Sequence, residues 1–153
     1  MKKVRFIFGI LLLLSVNTFA QSIKEVNGIY KVGIKPYTGR YVSVYENGNT
    51  KTEMNLKKGL KHGEARVYFE NGTLNEIRSY KKNTIDGTWV TYNGNGTKVA
   101  VANYKNGKKH GEWKVWDENG KLIYEMNYLN GEKSGTWKRY SPETGEVINE
   151  RTF

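Results

Sequence analysis

The chain has 153 residues, no cysteine and a formal net charge of +10. The lack of thiols excludes disulfide staples, thiolate metal sites and a cysteine nucleophile. Lys and Arg are interleaved with Glu instead of running in blocks, the pattern of a solvated basic surface, so nucleic acid is not expected as a partner.

Residues 1–20 read as an export signal. Lys2, Lys3 and Arg5 precede an apolar stretch over 6–16, and Thr18-Phe19-Ala20 places small residues at a cleavage site. The apolar run is well short of the roughly 20 residues that cross a bilayer. Removing Lys2, Lys3 and Arg5 leaves +7 on the remainder. Export without disulfides points to a bacterial periplasmic or extracellular protein. Residues 21–36 form a lead-in segment.

From residue 37 to 153 the chain repeats. Gly39, Gly63, Gly87, Gly111 and Gly135 are each 24 residues apart. Gly48, Gly72, Gly96 and Gly120 keep the same period, and a fifth member is displaced to Gly145 by an insert at 141–144. A third series is Gly59, Asn83, Gly107 and Gly131. Asn is the non-glycine residue that best tolerates positive φ, so this series predicts a left-handed turn. The copies run at about 39–62, 63–86, 87–110, 111–134 and 135–153.

Aromatic residues hold the same frame. Trp89, Trp113 and Trp137 follow the first glycine by two, with Tyr41 in the first copy. Tyr68, Tyr92, Trp116 and Tyr140 follow it by five. Tyr80, Tyr104 and Tyr128 follow it by seventeen, with Leu56 in the first copy. Asn-Gly pairs stand at 27-28, 47-48, 71-72, 93-94, 95-96, 106-107, 119-120 and 130-131. Asn-Gly favours the type I′ hairpin turn, and both glycine series, at 39 to 135 and at 48 to 120, read as turn glycines. Between turns lie short runs with strand alternation, such as Leu122, Tyr124, Met126 and Tyr128. The expected fold is all-β: an open-ended antiparallel meander of tandem hairpins behind a signal-peptide helix. Equivalent aromatics would form ladders spaced by two strands, about 9.6 Å. Residues at +2 and +5 differ by an odd number, so they face opposite sides unless a bulge intervenes.

The units Gly111-Glu112-Trp113-Lys114-Val115-Trp116-Asp117-Glu118-Asn119-Gly120 and Asn127-Tyr128-Leu129-Asn130-Gly131 resemble the MORN-repeat variant family. So do Lys61-His62-Gly63-Glu64 with Glu70-Asn71-Gly72, and Pro36-Tyr37-Thr38-Gly39-Arg40 with Glu46-Asn47-Gly48. The resemblance covers about residues 36 to 153. It implies an elongated open sheet. Bacterial members carry the label YwqK-type antitoxin component, which implies a toxin as partner. Eukaryotic members imply membranes, phosphoinositides and scaffolding.

No catalytic constellation emerges from the residues. His62 and His110 lie two repeats apart, on the order of 19 Å, too far to share a metal. Glu64, Glu112, Glu46, Glu70 and Glu118 recur beside Lys, whereas catalysis needs one differentiated cluster. Ser43, Ser79, Ser134 and Ser141 have no base in frame, and no glycine-rich segment opens a helix to cradle phosphate. No enzyme activity, cofactor or metal is expected. The aromatic ladders are either the core of a thin sheet or a binding surface. The expected function is non-enzymatic binding of a protein or envelope polysaccharide along a sheet face. Toxin neutralisation and association with an anionic membrane are the alternatives.

Overall fold

The computed structural model describes residues 22–153. The signal-peptide helix expected over 1–20 lies outside the described residues. Among the described residues every regular element is a strand.

The lead-in segment folds. β1 (Ile23–Val26), β2 (Ile29–Val32) and β3 (Lys35–Pro36) form a small antiparallel sheet of their own. Asn27-Gly28 turns β1 into β2 with φ of 51° and 76°, both left-handed as type I′ requires.

The repeats build an 11-stranded antiparallel meander. Its strands are β4 (Gly39–Val44), β5 (Thr50–Lys57), β6 (Leu60–Tyr68), β7 (Leu74–Lys81), β8 (Thr84–Tyr92) and β9 (Lys98–Lys105). β10 (Lys108–Lys109), β11 (Gly111–Trp116), β12 (Leu122–Leu129), β13 (Glu132–Tyr140) and β14 (Val147–Thr152) complete it. β10 and β11 are two halves of one strand, broken at His110, and both pair with β9. β4 and β14 do not pair with each other, so the ribbon is open.

The two kinds of connection differ. Lys58-Gly59, Lys82-Asn83, Asn106-Gly107 and Asn130-Gly131 all have positive φ at both residues. These are the tight type I′ turns, and Asn83 is left-handed at 69° as its series predicts. Turn geometry here overrides composition, since two of the four begin with Lys. At Asn47-Gly48, Asn71-Gly72, Asn95-Gly96 and Asn119-Gly120 only the glycine has positive φ, so the type I′ expectation fails there. Gly48 N–H donates to Tyr45 C=O while Tyr45 N–H donates to Asn49 C=O. That is a three-residue connection with a left-handed glycine last. Nearby Asx oxygens hold it: Asn47 Oδ1 accepts from Asn49 N–H, and Asp117 Oδ1 from both Asn119 and Lys121 N–H.

A second correction concerns Gly39, Gly63, Gly87, Gly111 and Gly135. They are not turn glycines. Gly63, Gly87 and Gly135 lie inside strands, and Gly39 and Gly111 begin strands, all with positive φ. Opposite Met54 to Leu56, β6 runs from Ala65 back to Lys61, two residues more than its partner. The same surplus recurs at Gly87 and Gly135. These are two-residue bulges of the special type, and the left-handed backbone they need is what selects glycine. The expectation of turns failed because a bulge and a turn make the same demand on φ. His62 and His110 sit at bulges too.

Candidate binding face

Each bulge adds two residues, so it keeps the alternation of faces while drawing side chains on one face closer together. On one face stand Trp89, Trp113 and Trp137 with Tyr104, Tyr128 and Phe153. The expected pair of separate ladders becomes one interleaved row. Trp89 to Tyr104 is 6.0 Å between ring centres, Tyr104 to Trp113 5.2 Å, Trp113 to Tyr128 5.1 Å, Tyr128 to Trp137 5.1 Å and Trp137 to Phe153 4.9 Å. The last four pairs are tilted by 56–59°, the edge-to-face preference of aromatic quadrupoles. Indole N–H groups bond inward: Trp113 Nε1 donates to Asn103 C=O and Trp137 Nε1 to Asn127 C=O, each at 2.9 Å. Tyr80 leaves the row and packs toward the N-terminal core, under Lys61.

Lysines cover this row. Lys109 Nζ lies 4.6 Å from the Trp113 ring centre and 4.7 Å from that of Tyr128. Lys133 repeats the arrangement over Trp137 and Phe153 at 4.6 and 4.7 Å. Four residues of regular strand span about 13 Å. The bulge shortens that path and lets a lysine two residues before the glycine reach a tryptophan two residues after it. The series Lys61, Lys109 and Lys133 was visible at constant offset in the sequence, and so was Phe153, displaced by the same insert as Gly145.

Position +5 points the other way. Tyr68 Oη donates to Glu53, and Tyr140 Oη to Glu125. Trp116 lies under Lys98 at 4.6 Å, and Tyr92 belongs to the same series. No two rings of this series stack among the described residues, so it is not the ladder expected. This second face holds the ion pairs Arg40–Glu53, Arg66–Glu64, Lys114–Glu112, Lys114–Glu125 and Lys138–Glu150. The Tyr140 hydroxyl and then Lys114 hold the Glu125 carboxyl below its ordinary range, and the two glutamates hold Lys114 above its own.

The charge is therefore segregated. At strand positions the aromatic face carries Lys61, Arg78, Lys109, Lys133, Arg139 and Arg151. Its single acid there is Glu76, which is paired with Arg78. The other five cations meet aromatic rings and no carboxylate among the described residues. Burial raises the pKa of Tyr104, with Tyr128 nearby adding to it. No cluster of His, Asp or Glu among the described residues could hold a metal ion.

Residues 61–82, 85–106 and 109–130 each match the MORN repeat variant model. These three segments are MORN repeats of the variant type. No curated protein matches the chain. Each matched MORN repeat opens at the position of Lys61, Ile85 or Lys109 and closes at or just before the type I′ turn, so the repeat unit is one hairpin plus its bulge. The hairpins before 61 and after 130 continue the same strand pairing outside the matched segments.

Proposed function

We propose that this chain is an exported, non-enzymatic binding protein whose aromatic, cationic sheet face holds an acidic protein partner. MORN repeats serve generally in binding protein or membrane. The observation that carries the reading is the segregation of charge: five ion pairs on one face, and on the other five cations with no carboxylate opposite them. Such a face attracts acidic surfaces and is screened by salt. The lysine-covered rings and spent indole N–H groups of Trp113 and Trp137 favour a protein over a polysaccharide, because sugar stacking needs a bare ring.

Crosslinking in the native host with wild type and the Lys109→Gln/Lys133→Gln variant tests this. The expected result is capture of an acidic protein, reduced severalfold in the variant and by 0.5 M salt, on the order of the loss expected when screening shortens to a few ångströms. Equal capture by the variant, capture only of anionic vesicles, or turnover of a substrate overturns it. Export is checked separately by the N-terminal sequence of the mature chain, expected to begin after Ala20.

A further inference from the structure

The last repeat departs from its predecessors on the aromatic face. Where earlier copies have Val67, Thr91 and Val115, it has Arg139. Where they have Met54, Arg78, Ala102 and Met126, it has Arg151, and unlike Arg78, which Glu76 pairs, it has no acid paired with it among the described residues. The tyrosine position of β12, Tyr124, becomes Asn149 in β14. Trp137 pairs with Arg151 across the strands and Arg139 with Asn149, so the new polar groups adjoin one another.

They border a hollow of about 280 Å³ whose floor is Tyr124, Met126, Trp137 and Phe153. Arg139 Cζ lies 6.0 Å from the Tyr124 ring centre, and Arg151 Cζ 4.9 Å from that of Phe153. Neither guanidinium donates a hydrogen bond or forms an ion pair among the described residues. The nearest strand acids, Glu125 and Glu150, lie on the opposite face in pairs with Lys114 and Lys138. A guanidinium held near a ring without a carboxylate keeps its five N–H donors available, forked to match a carboxylate.

We propose that this hollow is a recognition site for an acidic peptide segment, in which one apolar side chain enters the floor while neighbouring carboxylates engage Arg139 and Arg151. The inference rests on the binding role proposed above and names the part of the face that reads the partner. Charge complementarity commits it to an acidic occupant. A hollow of about 280 Å³ has room for one apolar side chain on its aromatic floor. A flat anionic surface would be met equally by the lysine row and has no need of a hollow. Arg139 and Arg151 would supply directional, bidentate bonds; Lys109 and Lys133 would supply long-range attraction.

The test uses the repeats themselves as controls. Arg139→Val and Arg151→Met restore residues that earlier copies carry at these positions, so the sheet has precedents for both. The probe is a capped five-residue peptide alternating glutamate with phenylalanine, titrated calorimetrically against the full mature chain. A lysine–phenylalanine peptide and phosphatidylserine vesicles are the comparison arms. The expected result is binding of the acidic peptide only, weakened at least about tenfold in the double variant, as loss of two charge-assisted contacts implies. Vesicle binding should change by less than about twofold, since each surface charge contributes little alone. Absence of acidic-peptide binding, equal binding by the double variant, or a loss confined to vesicles overturns the assignment. If the host partner is still captured in those cases, the site is wrong while the binding role stands.

Discussion

The two ends of the ribbon are stabilised by different means. At the N-terminal end β1–β3 lie over the first repeats, and Tyr30, Met54, Leu56 and Ala65 are only 6%, 8%, 3% and 4% exposed. Toward the C-terminus no hydrophobic side chain reaches that burial; only Ser141 does, within its own turn. A single sheet has a true interior only where a second layer covers it. Elsewhere the ribbon relies on cross-strand aromatic pairs and lysine stems laid over them. Hydrogen bonds between successive turn tips add to this, such as Gly107 N–H to Ile85 C=O and Gly131 N–H to Lys109 C=O.

The cap is attached by specific contacts. Tyr30 N–H donates to Gly59 C=O, Gly59 N–H to Tyr37 C=O, and Asn83 Nδ2 to Gly28 C=O. A Cβ on Gly59 would fall 2.5 Å from Ile29 Cγ2 and 2.8 Å from Tyr30 O, at φ +78°. Gly59→Ala should therefore cost about 3–4 kcal/mol, from backbone strain and overpacking together. Gly48→Ala has φ +86° but open space, and should cost about 1 kcal/mol. Urea unfolding of the two variants compares them. Equal losses would mean that the cap contributes nothing.

Met54 and Met126 occupy the same place in the repeat, one beneath the cap and one outside it. Met54→Ala is expected to lose about 3 kcal/mol, and Met126→Ala about 1 because its side chain is only partly buried. Similar values in chemical denaturation would erase the distinction between the ends.

Alkaline pH separates them again. Burial, then a hydrogen bond and the charge of Glu25, push the Tyr30 hydroxyl up to about 12 from 10.0. The unfolded chain ionises first, so this stabilisation is complete below pH 10 and is lost as pH rises to 12, by up to about 2 kcal/mol. In Tyr30→Phe the fall in urea midpoint between pH 9 and pH 11.5 should be distinctly smaller. An identical fall would place the responsible tyrosines elsewhere.

The smallest contrast is between the faces. Lys109→Gln removes an ammonium shared by two rings and should cost about 1 kcal/mol. Lys114→Gln breaks two ion pairs at the surface and should cost about 0.5 kcal/mol or less. Thermal melts at 0.1 and 1 M salt should show the second difference vanish while the first persists. The reverse order would show that the ion-paired face stabilises the ribbon more than the aromatic one.

Much of the fold is legible in the residues because a hairpin repeat is a local device. Turn glycines such as Gly72, strand alternation such as Leu122 to Tyr128, and the 24-residue period each depend on neighbours in sequence. The candidate site was legible only in its parts. Trp113 and Tyr128 were singled out, but their contact was not. Lys109 and Arg139 passed for ordinary surface charges, since nothing local ties a cation to a ring beyond a bulge or on the neighbouring strand. Asn83 could be assigned to a left-handed turn; its bonds to Lys61 N–H and Gly28 C=O join segments far apart in sequence and needed the assembled ribbon.

The amino-acid sequence by itself determined the hairpin unit, its period, the all-β class and the open order of the strands, because φ preferences and alternation act over a few residues. Only the tertiary structure decided which glycines bulge and which turn, and hence which cations come to lie over the tryptophans. Each bulge adds two residues, which keeps the parity of its strand but shortens the path from the lysine to the tryptophan, and its place is set by pairing with the strand alongside.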